Sequence, residues 1–399
     1  MLHARNLVKD ETFRRNHLDF HEYVESCGPL HPAQQNALEN TPRRIEPPHR
    51  ASTQGPLVVQ LAGNEPNLVV EAANCIMEYT NGQVHGIDLN CGCPQGIARK
   101  GQYGAFLMED DSNRVCDILR ALRSSLPSTT AVSVKIRLPL DPNELEDRVL
   151  RLMDTGVDFL TIHGRTLREN KTLVGACHTD EIKRAIEIAR GVRPSFPVVA
   201  NGGIEHLVDV SRVIAETSAS ATMSSEALLE RPNLFSTDSS GFSPQQVYRQ
   251  QLQFAEDYLS WCEYSPPLPG VLGHVGGSFN IVRGHLFKFL HRYVQEHGDL
   301  RDRLASQRLT SVDGARELLS ELRERYDCLQ ENAQWLGLSS SDSEASWYRR
   351  HWSSASVRHS RAGFGETNSV SSIMSVEDRK ALIRARLADY QNQRVQKTA

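Results

Sequence analysis

Long apolar runs are missing from this chain of 399 residues. The longest, Leu57–Ala62 and Pro197–Ala200, are strand-sized, far short of the ~20 residues that cross a bilayer as a helix. The start, MLHARNLVKDETFRR, has no apolar stretch and carries acids, so neither a secretory signal nor a transit peptide is expected. There is no excess of positive charge either: the formal net charge is −4. That excludes a wholesale basic nucleic-acid binder, and any RNA contact must use a local patch. The eight cysteines (27, 75, 91, 93, 116, 177, 262 and 328) contain no CxxC spacing. Cys91 and Cys93 are too close for the usual zinc knuckle. Free thiols in a reducing intracellular compartment, cytoplasmic, nuclear or both, are the expectation. Gly-x-Ser-x-Gly, a Walker loop and His-Glu-x-x-His are absent too, which removes the commonest hydrolase, P-loop and zinc-protease signals.

At roughly 150 residues per domain the length allows two or three units. Apolar residues make up 39% and charged residues 24%, as in a folded body with solvated loops or a tail. From 57 to about 235, β-rich runs alternate with helical spacing. The strands read Leu57–Leu61, Gly86–Asn90, Ala131–Leu138, Phe159–His163, Pro197–Asn201 and Ser220–Ser224. Between them fall helical patterns over 65–79, 112–126, 144–155, 179–190 and 205–216. Such alternation builds a parallel sheet. Six units are visible where a closed barrel needs eight, while a doubly wound sheet is content with six, so the count alone does not choose. Residues 21–56 carry six prolines and read as a long insertion. Residues 243–330 read as all-helical, with Pro244–Trp261, Phe279–His297 and Val312–Arg325 the clearest helices. From about 336 to 374 the chain is Ser-rich and expected to be poorly ordered. Ser375 and Asp378 resemble a capping box for a last helix reaching about Gln393.

Alternate residues of a strand share a face. In AVSVKIRL, Val132, Val134, Ile136 and Leu138 form one face, and Ser133, Lys135 and Arg137 the other. The second face would put two cations inside the sheet, which is costly without an anionic partner; taken alone, both cations could equally reach solvent at a strand end. Gln60, Asn90, His163 and Asn201, however, also end apolar runs. Polar groups delivered to one end by successive strands are how α/β proteins build a site. Asn201-Gly202-Gly203 and Ser224-Ser225-Glu226 suit a phosphate: glycines let the backbone approach closely, and the second stretch opens a helix. Asp88-Leu89-Asn90-Cys91-Gly92-Cys93-Pro94 sets the Cys93 thiol on a Gly/Pro-shaped loop beyond a strand. There it could serve as general acid or as nucleophile, and the residues do not choose.

The stretches DLNCGCPQGIARKGQYGAFLMED, VSVKIRL, LTIHGRT, VVANGGI and MSSEALL resemble the successive signatures of tRNA-dihydrouridine synthases. MLHARNLVKDETF and IVRGHLFKFLHRY resemble the eukaryotic subfamily acting on uridines 16 and 17 of the tRNA D-loop. The resemblance runs from residue 1 to about 326. It implies a TIM (β/α)8-type barrel that binds FMN (1–236), a helical tRNA-binding domain (237–330) and a Ser-rich tail (331–399). NADPH would reduce the flavin, which would pass hydride to C6 of a flipped-out uracil, while Cys93 protonated C5. On the same resemblance Gln60, Lys135 and His163 contact the flavin. Asn201, Gly202 and Gly203 form one phosphate loop, and Ser225 with Glu226 the second. Asn90, Arg137 and Arg165 face the substrate uridine or a phosphate. No metal is implied. The expected partners are tRNA and NAD(P)H, with no membrane and a monomeric state.

Arg283, His285, Lys288, His291 and Arg292 fall in one predicted helix, with several on one face as an RNA-contact candidate. The 21–56 segment and the tail depart from the family pattern. Met1 aligns with the last Met of the family's second strand, so the first βα unit and most of the second strand are expected to be lacking. A barrel short of a strand has raw edges, and a chain that is poorly stable or cannot hold FMN is the expectation. An incomplete gene model or truncated isoform of an active enzyme is one history. A non-catalytic tRNA-binding remnant is the contrasting one, and another FMN-barrel reductase a third.

Overall fold

Alternation of buried and inward-facing polar residues builds one parallel sheet. The computed structural model describes residues 1–18, 56–170 (except 81 and 83), 173–237, 244–264 and 279–327. The insertion expected over 21–56, save its last residue, and the tail with its Ser375 cap lie outside the described residues. Seven strands pair in sequential order: β1 Leu2–His3, β2 Val58–Ala62, β3 Gly86–Cys91, β4 Ala131–Leu138, β5 Phe159–Thr166, β6 Val198–Asn201 and β7 Ala221–Met223. All six pairings are parallel. A doubly wound sheet reverses its strand order at a switch point; this one never does. The order settles what the strand count could not: the winding is that of a TIM-type barrel.

The alternation pattern does not show β1, although the resemblance puts the end of a strand at these residues. Leu2 and His3 pair with Leu61 and Ala62, so β2 is not an edge. Two residues carry no periodicity to detect. The helix Ala4–Lys9 follows directly, with Ala4 and Leu7 buried.

The helix-facing side of the sheet is apolar through its central strands. Ile87, Leu89, Val132, Val134, Ile136, Leu160, Ile162, Val198 and Ala200 are all fully buried beneath the helices Pro66–Tyr79, Ser112–Ser125, Leu145–Asp154, Thr179–Val192 and Leu207–Thr217. Their starts follow local chemistry: Pro66 takes the first turn of its helix, where no N–H is needed, and the Asp111 carboxylate accepts from Arg114 N at 3.0 Å.

A second apolar core gathers Tyr248, Leu252, Leu259, Val282, Leu286, Val294, Leu300, Leu318 and Leu322 from five helices. These are Pro244–Tyr264, Phe279–Phe289, His291–Glu296, Gly298–Ala305 and Val312–Asp327. The predicted helix Phe279–His297 is therefore two helices, broken at Leu290. The cause is a long-range side chain: Gln251 Nε2 donates to the Phe289 carbonyl at 2.9 Å and to the Glu230 carbonyl at 2.9 Å. Helical hydrogen bonding skips that carbonyl, and Tyr293 and Val294 N–H both turn to the Leu290 oxygen. No helix among the described residues is long and apolar enough to cross a membrane.

Candidate active site

In a parallel pair, residues in register point to the same face. Three register rows cross the sheet: Gln60, Asp88 and Ser133; Asn90, Lys135 and Thr161; Arg137, His163 and Asn201. Spacing by two along β3, β4 and β5 puts all three rows on one face, opposite the helix-packed side. Four polar positions proposed on separate strands, with both cations of β4, thus meet at the C-terminal end of the barrel interior.

The rows are hydrogen-bonded. Ser133 Oγ and Gln60 Nε2 donate to the two oxygens of Asp88, each at 2.7 Å. Asn90 Nδ2 donates to Gln60 Oε1 at 2.7 Å, and Asn90 Oδ1 accepts from the backbone N–H of Gly92 at 3.2 Å and Cys93 at 3.0 Å. Asn90 therefore holds the thiol loop and keeps one N–H for a ligand. The loop is clamped from two further sides. Arg137 Nε donates to the Gly92 carbonyl at 2.8 Å, and Ala105 N–H to the Cys93 carbonyl at 3.2 Å. Gly104, at φ +69°, approaches so closely that an added Cβ would sit 2.9 Å from the Cys93 oxygen. The second glycine of GQYG is there for both reasons.

Arg137 does not reach solvent: it is 9% exposed and also donates to the Thr166 carbonyl at 2.9 Å. Burial, then repulsion from Arg165, lowers it to about 10, with Glu169 opposing; the guanidinium stays charged at neutral pH. Burial, then Arg137, depresses the Lys135 ammonium to about 8, against attraction by Asp88. Burial holds the Asp88 carboxyl above the usual carboxylate range, opposed by its hydrogen bonds from Gln60 and Ser133 and by Lys135. His163 falls well below its ordinary value, through burial and the cations Arg137, Lys135 and Arg165. The ring is thus neutral. Arg165 NH1 lies 3.2 Å from His163 Nε2; an arginine only donates, so Nε2 accepts and the proton resides on Nδ1.

The two stretches suited to phosphate lie together. Asn201 Nδ2 donates to the Met223 carbonyl at 2.8 Å, and Ser224 Oγ to the Ile204 carbonyl at 3.1 Å. Gly202 has φ +102°, and a Cβ there would lie 3.0 Å from the His163 ring. Only glycine gives both the backbone angle and the close approach. Ser225 heads the helix Glu226–Glu230 without a side-chain cap. That helix is one short turn, so its dipole offers less than the sequence implied. Glu226 acts electrostatically on Arg137.

The described site thus carries Lys135, Arg137 and Arg165 around Asp88 and Glu169, with a glycine loop at its rim. Net buried positive charge and a close-approach loop fit a planar cofactor bearing a phosphate. Among the described residues no group of three or more His, Cys, Asp or Glu side chains could hold a metal ion.

Asp88 and Thr161 were not singled out from sequence, although Asp88 lies two residues before Asn90 on the same face, a signal that alternation supplies. Glu169 gave no such signal. It accepts from Thr166 N–H at 2.7 Å and contacts His178 Nε2 at 2.9 Å, closing the turn after β5.

The basic face drawn on one helix is corrected. Arg283 is buried and donates to the Ser306 carbonyl, to Asn280 and, at 2.8 Å, to Gln307 Oε1. It clips the helix to the 306–309 turn. His285 lies 5.0 Å from the Tyr258 ring, and burial followed by Lys288 lowers its pKa. His291 and Arg292 belong to the next helix. The long helical spacing hid a break imposed by Gln251.

The family described as dihydrouridine synthase matches residues 6–322. A mouse protein named tRNA-dihydrouridine(16/17) synthase [NAD(P)(+)]-like is 33% identical over 327 residues, 82% of this chain and 56% of that protein. The tRNA-dihydrouridine(16/17) synthase [NAD(P)(+)] of Schizosaccharomyces pombe is 32% identical over 251 residues, covering 63% of this chain and 58% of its own. A mouse tRNA-dihydrouridine(20a/20b) synthase [NAD(P)+]-like protein is 37% identical over 181 residues, 45% of this chain and 52% of its own. The chain spans just over half the length of these curated relatives. With a family match across most of its residues and a sequentially wound barrel beneath it, the chain belongs to the dihydrouridine synthase family.

Proposed function

We propose that this chain reduces uridine to 5,6-dihydrouridine in tRNA, at D-loop positions 16 and 17, with FMN as cofactor, NADPH as reductant and Cys93 as proton donor. The observation that carries the reading is the Cys93 loop. A thiol is clamped by Asn90, Arg137 and Gly104 at the same end of the barrel where buried cations and a glycine loop converge. The names of the relatives support the substrate and the nicotinamide reductant.

FMN, when bound, would supply hydride to C6 of the uracil. Gln60, Lys135 and His163 would hold its ring, Asn201, Gly202 and Gly203 its phosphate, with Ser225 and Glu226 at the neighbouring turn. Lys135 provides positive charge that a reduced, anionic ring needs, and His163 offers the Nδ1 proton as a neutral donor. Asn90 with its remaining N–H, Arg137 and Arg165 would orient the uracil. Cys93 Sγ delivers its proton to C5, with the cations Lys135 and Arg137 within electrostatic reach of that side chain. The chemistry requires a reduced thiol, in keeping with an intracellular setting. The base must leave its stack to reach this depth, since the reacting groups sit inside the barrel mouth.

The test is direct. The purified chain, with FMN and NADPH, is given unmodified tRNA, and dihydrouridine is mapped by mass spectrometry of nuclease fragments. The reading requires product in the D-loop; NADPH oxidation with no tRNA product would reject it in favour of a small-molecule reductase.

A further inference from the structure

A second thiol lies beside the glycine loop and takes no part in the proposed proton transfer. Cys177, on the segment after β5, fills a space walled by three glycines. A Cβ at Gly164 would fall 2.4 Å from Cys177 Sγ, one at Gly202 3.1 Å from Sγ, and one at Gly203 3.3 Å from Cys177 Cβ. Gly202 and Gly203 are demanded by positive φ in any case. Gly164 is not: its backbone is open to any residue, and the sulfur is the nearest obstacle to a side chain there. Cys177 Sγ also donates to the Asn201 carbonyl at 3.7 Å. Burial raises the thiol, against the lowering effect of Arg165, which keeps it in the protonated form that donates. The segment is pinned on its other side, since His178 N–H donates to the Gly164 carbonyl at 2.8 Å and His178 contacts Glu169. The sulfur is therefore a spacer between β5 and the Asn201–Gly203 loop.

We propose that Cys177 is a positioning residue for phosphate binding: its sulfur holds the Asn201–Gly203 loop at the separation from β5 at which the loop accepts the phosphate end of the flavin. The inference rests on the reading of that loop given above. Alanine at 177 leaves a void against Gly164 and Gly202, keeps the Cβ that faces Gly203, and removes the bond to Asn201. Losing a weak hydrogen bond and a methyl-sized contact together corresponds to about tenfold in affinity.

The experiment compares FMN with riboflavin, which shares the ring and lacks the phosphate, by fluorescence titration of the flavin-free chain. The wild-type chain is expected to prefer FMN. Cys177→Ala is expected to bind FMN about tenfold more weakly while its riboflavin affinity stays unchanged; a general packing defect would lower both. Gly164→Ala, which drives a methyl into the sulfur, is expected to weaken FMN binding as well. The double variant Gly164→Ala/Cys177→Ala is expected to bind better than Gly164→Ala alone, because the closest clash, with the sulfur, is gone while the approach to Ile182 Cδ1 at 2.9 Å is common to both. If Cys177→Ala does not fold, Cys177→Ser takes its place, its shorter C–O bond withdrawing the donor. An unchanged FMN-to-riboflavin ratio in the Cys177 variant, or a double variant no better than Gly164→Ala, overturns the inference. A wild-type chain with equal affinity for the two flavins instead overturns the assignment of phosphate to this loop.

Discussion

Replacing Lys135 with methionine should make the flavin-free protein more stable and the flavin harder to bind. Lys135 sits in the middle row of inward-facing polar residues, beside Arg137, and its pKa falls from 10.5 to about 8. At about 1.4 kcal/mol per unit, that shift means the buried ammonium costs the fold about 3 kcal/mol at neutral pH. Below pH 8 both folded and unfolded chains carry the proton and the penalty is constant. Between about 8 and 10.5 the unfolded chain binds more protons than the folded one, so wild-type stability rises with pH across that window. Methionine has nearly the same length and no charge to desolvate. Its substitution removes an opposing charge from Asp88, which still accepts from Gln60 and Ser133, and this returns part of the gain. A net stabilisation of about 2 kcal/mol is expected at pH 7, shrinking toward pH 10. Urea unfolding of the flavin-free proteins, followed by circular dichroism at both pH values, reads it. FMN affinity should fall in the same variant. A variant less stable than wild type at pH 7, or a stability difference independent of pH, would refute the reasoning that a cation is held here against its own desolvation for the sake of a ligand.

Asn90→Ala removes the acceptor for two backbone N–H groups of the thiol loop; kcat for tRNA reduction should drop by about a hundredfold, as for a reacting group displaced by about 1 Å. KM should change little, and steady-state kinetics with tRNA checks the split, a raised KM at unchanged kcat indicating that Asn90 serves only in binding. Arg283→Ala strips buried carbonyls and Gln307 of their donor, so unfolding free energy should fall by about 2–4 kcal/mol. Its affinity for tRNA at a temperature where the chain is folded should match wild type in a filter-binding assay, and weakened binding at unchanged stability would return Arg283 to an RNA face.

The parts of the site that were legible in sequence are those written in strand alternation and turn chemistry. Ser133, Lys135 and Arg137 alternate with valine and isoleucine, so their shared face could be read, and the parallel register then carries Asn90, His163 and Asn201 onto it. Gly202 was readable as a close-approach glycine, and its φ and the His163 ring leave no other residue there. Features set by distant partners were not legible. The break at Leu290 depends on Gln251, 38 residues before the Phe289 carbonyl it bonds, and the same helical spacing that predicts one helix is satisfied by two. Arg283 looked like a surface cation because its partners at 306–307 are known only once the helices pack. β1 was invisible to alternation because two residues have no period, and only the resemblance placed a strand end there; it pairs with β2 as any longer strand would. Cys177 gave no sign until Gly164, Gly202 and Gly203 were seen to surround it.

The claim on which the account turns is that Cys93 delivers the proton to uracil C5 from its clamped loop. Cys93→Ala, loaded with FMN and supplied with NADPH, should retain flavin and still bind tRNA. Dihydrouridine at D-loop positions, quantified by mass spectrometry in single-turnover reactions, is the deciding measurement. The account predicts near-complete loss of product in Cys93→Ala against wild type. Product formed at the wild-type rate by the alanine variant would contradict it.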